Sequence, residues 1–144
     1  MRAVLDTNVV ISATLIRGGN EDRILRAWQC GAFELVLSPQ ILDEMARALF
    51  YERIRKFRWM SEDEVLTLLQ SLAGESVLAP GKASVKASPD PEDDKFLAAA
   101  VEAQADYVVS GDKDLLDLKA YKGAHIVTPA QFLTILRPEE RKRK

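Results

Sequence analysis

The sequence contains one cysteine and one histidine, and each scarcity excludes a class of site. Cys30 alone cannot form an internal disulfide framework or a cysteine-rich zinc site, and we expect it to be a small buried residue at a helix end. A Ser-His-Asp triad would have to use His125, which lies inside a predicted strand. We therefore expect His125 to be a structural or surface residue.

Long hydrophobic runs and a strong net charge are also missing. No window reaches the roughly 18 apolar residues of a membrane span, and the first residues enter a strand directly, so we expect a cytoplasmic protein without membrane contact. The net charge of −2 gives no overall basic field that would attract nucleic acid. Residues 137–144, however, hold five basic and two acidic residues, which predicts a solvated basic tail.

What the sequence does contain is a regular alternation of strand and helix patterns. Short apolar runs predict strands, and between them lie amphipathic stretches with helix-capping residues, such as Ser38 before Pro39 and Ser61 before Glu64. This order predicts an α/β fold with a central parallel sheet covered by helices on both faces, in one domain over residues 1–136. Predicted strands cover residues 2–6, 33–37, 76–78, 107–109 and 125–127.

Two acidic residues follow predicted strands directly. Asp6 comes after Ala3-Val4-Leu5, and Asp112 comes after Tyr107-Val108-Val109-Ser110-Gly111. The carboxyl ends of parallel strands line the crevice where ligands bind. Carboxylates packed there repel one another unless a cation neutralises them, and Mg²⁺ or Mn²⁺ suits an all-oxygen site. Asp6 with Thr7 and Asn8 also fits a simple helix cap.

The acidic stretch at the start of the helix predicted over residues 92–104 contains a further candidate. Asp90 can cap this helix, and Glu92 and Asp93 can complement its dipole. Asp94 shares a stripe with Leu97, Ala98 and Val101, so we expect it, rather than Asp93, to face the sheet and require a cation.

In two other pairs of acidic residues, the sequence pattern does not decide which residue belongs to the site. Glu44 and Asp43 flank the apolar stripe of the helix from Pro39 about equally. Asp112 is the natural strand-end residue, whereas Asp114 fits an ordinary acid in the first turn of a helix.

Together these segments resemble the PIN-domain family of metal-dependent ribonucleases, and more closely its VapC-like branch, the toxins of toxin–antitoxin pairs. The four matching motifs extend over residues 4–12, 38–45, 90–98 and 108–115. The resemblance implies a three-layer α/β/α fold and one or two Mg²⁺ or Mn²⁺ ions held by Asp6, Glu44, Asp94 and Asp112. It implies supporting roles for Asn8 and Ser110, which would position phosphate or metal-bound water; Asp114 is a further candidate.

The resemblance also implies an RNA substrate, an antitoxin partner and a homodimer. Residues 50–60 interleave aromatic and basic side chains, which suits a helix connection or a surface for RNA or a partner. Two other phosphotransfer classes match poorly, because a haloacid-dehalogenase-like phosphatase needs an acid where Asn8 stands, and a receiver domain matches only loosely at Lys113. A non-catalytic PIN-like module that binds RNA or assembles with partners is the main alternative.

Overall fold

The computed structural model describes the backbone of residues 1–143 and the side chains of residues 1–137. Within this part the strands form one six-stranded sheet in the order β3-β2-β1-β4-β6-β5, parallel throughout except where β5 runs antiparallel to β6. The strands are β1 (Arg2–Leu5), β2 (Glu34–Leu37), β3 (Val77–Leu78), β4 (Tyr107–Val109), β5 (Ala120–Tyr121) and β6 (Ala124–Val127).

The central strands are buried on both faces. Ala3, Val4 and Leu5 of β1 are fully buried, although successive side chains of a strand point to opposite faces. Leu35–Leu37 of β2 shows the same burial. Helices therefore cover both sides of the sheet, and the predicted α/β/α architecture is confirmed.

The helices begin largely where the capping residues predict. Ser38 Oγ accepts the N–H of Ile41, and Ser61 and Glu64 form a reciprocal capping box. The helices are α1 (Thr7–Leu15), α2 (Asn20–Gln29), α3 (Pro39–Leu49), α4 (Glu52–Phe57), α5 (Glu62–Glu75), α6 (Asp94–Glu102), α7 (Lys113–Leu116) and α8 (Pro129–Arg143), with a 3-10 turn at Pro91–Asp93 before α6.

The structure departs from the sequence expectations in several places. The edge strand β5 and the short helix α4 were not predicted, and α8 continues beyond residue 136 to Arg143. Cys30 is exposed after the end of α2, so the prediction of a buried cysteine is wrong. The predicted basic tail lies, except for Arg137, outside the described side chains. Among residues 1–143, no helix is long and apolar enough to cross a membrane.

The strand order places a topological switch point between β1 and β4. From β1 the chain moves outward to β2 and β3 on one side, and it then returns to β4 on the other side of β1. The connections leaving β1 and β4 diverge and leave a crevice at the carboxyl ends of these two strands. Asp6 follows β1 and Ser110 follows β4, so both stand at this crevice.

Candidate functional site: an acidic cluster at the switch point

Asp6 is a buried carboxylate at the end of β1. Its side chain is held by two donors, because Asn8 donates its backbone N–H to Oδ1 at 3.1 Å and Ser110 donates its hydroxyl to Oδ2 at 2.7 Å. Burial raises the pKa of Asp6 and outweighs these two hydrogen bonds, which lower it. The charges of Asp112 and Glu44 raise the pKa further. The cap predicted at this position exists, yet it leaves a desolvated acid among other acids.

Ser110 connects Asp6 to the next carboxylate. The serine is fully buried, and while its hydroxyl donates to Asp6, its Oγ accepts the N–H of Asp112 at 2.9 Å. Asp112 caps α7 by accepting the N–H of Asp114 at 3.0 Å. One hydroxyl therefore fixes the spacing of the acids that follow β1 and begin α7.

The third member of the cluster is Asp93, which lies in the 3-10 turn and is only 7% exposed. Desolvation and a hydrogen bond to the Asp112 carboxyl raise the pKa of Asp93 to about 7, and the charges of Asp112, Asp6 and Asp90 add to the shift. Two carboxylates this close repel each other, and a cation between them would relieve the repulsion. The expectation that Asp93 only complements the helix dipole is wrong.

The cluster has the properties of a site for a hard divalent cation. Carboxylate oxygens of Asp93, Asp112 and Asp114 lie within 4.8 Å of one another. Asp93 Oδ2 is buried, and no N–H or O–H group of the described residues donates to it. A cation bound between these carboxylates would satisfy this oxygen, so the donor set fits Mg²⁺ or Mn²⁺.

Asp94 lies on the other side of the turn. Its Oδ1 accepts the backbone N–H groups of Ala87 and Ser88, at 3.1 and 2.8 Å. The 3-10 turn at Pro91–Asp93 explains the difference from the predicted placement, because the regular phase of α6 begins only at Asp94 and Asp93 is the acid that turns toward the strand ends. The third motif therefore reaches the cluster through Asp93.

Glu44 stands at the edge of the cluster. It is close enough to Asp6 to raise the pKa of that residue, but its Oε2 contacts Lys95 Nζ at 2.5 Å. The same ammonium donates to the backbone oxygen of Glu92 at 2.6 Å. Lys95 is a counter-ion that the sequence analysis overlooked, and it compensates part of the negative charge.

The remaining two predicted residues differ in position. Asp114 is partly buried in the cluster, whereas Asn8 is exposed at the start of α1 and reaches Asp6 through its backbone. His125 stands on β6 in register with Tyr107, the first residue of β4, at the end of the strand pair opposite to Ser110. The cluster therefore contains no imidazole.

The raised carboxyl pKa values predict how the metal-free protein responds to pH. Asp93 has an ordinary pKa of 3.8 when unfolded and about 7 when folded, so the folded state binds more protons between these values. We expect the melting temperature in EDTA to fall from pH 5 to pH 7 and then to level off. Stabilisation by Mn²⁺ should show the opposite trend and be larger at pH 8 than at pH 5.5, because the ion must displace protons.

Thermal unfolding at several pH values, with EDTA or Mn²⁺, measures both trends. The Asp93→Asn variant is the control, since it removes the group with the largest assigned shift and should flatten the curve in EDTA. A melting temperature in EDTA that rises from pH 5 to pH 8 would contradict the raised carboxyl pKa of Asp93 in the cluster.

Comparison with known proteins agrees with the fold. The sequence profile described as PIN domain matches residues 2–114, which include Asp6, Asp93, Asp112 and Asp114. A relative, the uncharacterized protein MJ1680 of Methanocaldococcus jannaschii, is 30% identical over 119 residues, which cover 83% of this chain and 76% of the relative. The chain has the nuclease-type fold of the matched family and an acidic cluster at its switch point, and it belongs to the PIN-domain family.

Proposed function

We propose that this protein is a Mg²⁺- or Mn²⁺-dependent endoribonuclease that hydrolyses RNA phosphodiester bonds at the acidic cluster. The observation that carries the proposal is the group of Asp93, Asp112 and Asp114, whose carboxylate oxygens lie within 4.8 Å of one another near Asp6 at the switch point of a PIN-domain sheet. Placing these acids together costs desolvation and repulsion. The cost is understandable if a cation binds there.

Each residue has a distinct task in this proposal. Asp93 and Asp112 would hold the metal, and Asp6 would take part through the oxygens that Ser110 and Asn8 orient. Glu44 and Asp114 add charge at the edge. A bound Mg²⁺ or Mn²⁺ supplies an activated water and neutralises charge on the phosphate, which replaces the base that a histidine would provide.

A cleft beside the cluster offers a path for the RNA strand. It has a volume of about 520 Å³ and is lined by Glu44, Lys95, Arg47 and Tyr51, among others. Tyr51 is 67% exposed, so a base can stack on its ring, and Lys95 can exchange its carboxylate partners for a phosphate. This arrangement supports a single-stranded substrate.

Cleavage of a single-stranded RNA by the purified protein tests the proposal. We expect cleavage with Mn²⁺ or Mg²⁺, none in excess EDTA, and recovery when the metal is returned. A DNA strand of the same sequence serves as the substrate control. RNA binding without cleavage, at any metal concentration, would instead support the non-catalytic module.

The toxin role is a finer part of the proposal. Residues 50–60 contain two exposed rings, Tyr51 at 67% and Phe57 at 71% exposure, and exposed aromatic rings suit a partner surface. An arginine of an antitoxin would fit the acidic cluster by bidentate contact. We expect a homodimer at micromolar concentration and an antitoxin gene next to this one; light scattering that shows a monomer, with no such gene, would place the nuclease outside the toxin branch.

A further inference from the structure

The segment before the 3-10 turn is a loop over residues 79–90 without regular secondary structure, and it is held on one face of α6. Glu102 accepts the N–H groups of Gly81, Lys82 and Ala83 at 3.0, 3.0 and 3.2 Å. Asp94 accepts those of Ala87 and Ser88. Two carboxylates, eight residues apart on α6, thus satisfy five backbone donors of the loop.

The start of the loop is fixed as firmly as its end. Ala79 donates its N–H to Leu37 at the end of β2 at 2.7 Å, and Gln40 donates its side-chain amide to the Gly81 carbonyl at 2.6 Å. Gly81 has a φ of +76°, and a Cβ there would collide with the Gln40 side chain. The loop is therefore anchored to the sheet, to α3 and to α6.

The position of these anchors connects them to the acidic cluster. Asp94 is the residue after Asp93, and the N–H groups it accepts lie six and seven residues before it, across Pro89 and Pro91. This closes a ring of chain around the 3-10 turn. Because two backbone N–H groups converge on one oxygen of Asp94, the ring fixes the direction in which the neighbouring Asp93 points.

We propose that Asp94 is a positioning residue: its Oδ1 holds the 79–90 loop so that Asp93 is directed into the cluster, and Glu102 supports the same loop from its other end. The inference rests on the proposed function for its catalytic consequence, although its structural part can be measured by metal binding alone. It replaces the ligand role that the sequence predicts for Asp94. The role needs an acceptor oxygen at this position, but it does not need a negative charge.

This requirement separates two substitutions at one residue. Asp94→Asn keeps an acceptor in place, whereas Asp94→Ala removes it. We expect Asp94→Ala to weaken Mn²⁺ binding about 10- to 100-fold, the usual effect of losing a group that orients a metal ligand. Asp94→Asn should lose less than about fivefold in Mn²⁺ affinity relative to the unmodified protein, since only the charge of the acceptor is lost.

Titration calorimetry with Mn²⁺ and RNA cleavage measured on the same samples make the test. Asp63→Ala, which removes an exposed carboxylate of α5, controls for the loss of one acid. If Asp94→Ala does not fold, Glu102→Ala provides the second variant, with a smaller loss in the same direction. Cleavage should follow Mn²⁺ affinity in all of them.

Two results would overturn the inference. Loss of Mn²⁺ binding in folded Asp94→Asn, equal to that in Asp93→Asn, would make Asp94 a ligand itself. Unchanged affinity in both Asp94→Ala and Glu102→Ala would show that the loop does not position Asp93. If the unmodified protein binds Mn²⁺ but cleaves no RNA, the proposed function fails while the affinities still decide the positioning role.

Discussion

Asp93→Asn is expected to abolish RNA cleavage while the protein stays folded. The asparagine keeps the shape of the side chain but removes the charge that, with Asp112, creates the demand for a cation. Metal catalysis contributes several kcal/mol, so we expect a loss on the order of 10³-fold in kcat/KM. Mn²⁺ should no longer raise the melting temperature, which in EDTA at pH 8 should be higher than that of the unmodified protein.

Asp90→Asn is the matched control for this substitution. Asp90 lies three residues away, is exposed, and caps the 3-10 turn by accepting the N–H of Glu92 at 3.0 Å, a bond that asparagine can keep. We expect nearly normal cleavage. Equal loss in Asp90→Asn and Asp93→Asn would show that the effect comes from the turn rather than from a carboxylate in the cluster.

Asp6→Asn should lower the cleavage activity and raise the stability of the metal-free protein. The side chain is 4% exposed and its charged form is disfavoured by burial and by the acids around it. Neutralising it should therefore raise the melting temperature in EDTA at pH 8, while cleavage falls on the order of 10³-fold. Unfolding curves and initial rates on one preparation measure both quantities.

Asp22→Asn provides the contrast for Asp6→Asn. Asp22 is equally buried, but its charge is compensated by Arg26 at 3.3 Å and by the N–H of Gly18 at 2.8 Å. Removing this charge should lower the melting temperature and leave cleavage intact. Destabilisation of similar size in both variants would mean that Asp6 is a structural acid like Asp22.

The parts of the site that follow strands were predictable from the sequence. An acid directly after a short apolar run must stand at the carboxyl end of a strand, whatever the rest of the fold does. This reasoning placed Asp6 and Asp112 together, and the structure joins them through the Ser110 hydroxyl. Capping residues also fixed the starts of α3 and α5, because their hydrogen bonds are local.

The prediction that Asp94, rather than Asp93, faces the sheet was wrong because it depended on the phase of a helix. A regular α-helix from residue 92 would direct Asp94 inward, but the 3-10 turn changes the phase before α6 begins. A signal was present in the sequence, since prolines at positions 89 and 91 restrict the backbone just before the turn. The five N–H donors of the 79–90 loop, which need acceptors nearby, could not be read from periodicity.

The counter-ion of Glu44 was missed for a related reason. Lys95 directly follows Asp94 and reaches a helix more than 40 residues earlier in the chain, a tertiary contact that spacing along one helix does not reveal. The short elements β5 and α4 were missed because two and six residues carry too little pattern to distinguish them from a loop.

Anomalous diffraction from crystals grown with Mn²⁺ would locate the ion and identify the residues that bind it. We expect a Mn²⁺ peak at the switch point of the sheet, bound by carboxylate oxygens of Asp93 and Asp112 at about 2.1 Å, with Asp6 beside it and Asp94 still bonded to the 79–90 loop. A cluster without metal at saturating Mn²⁺, or an ion held by Asp94 and Glu44 in place of Asp93, would contradict this expectation.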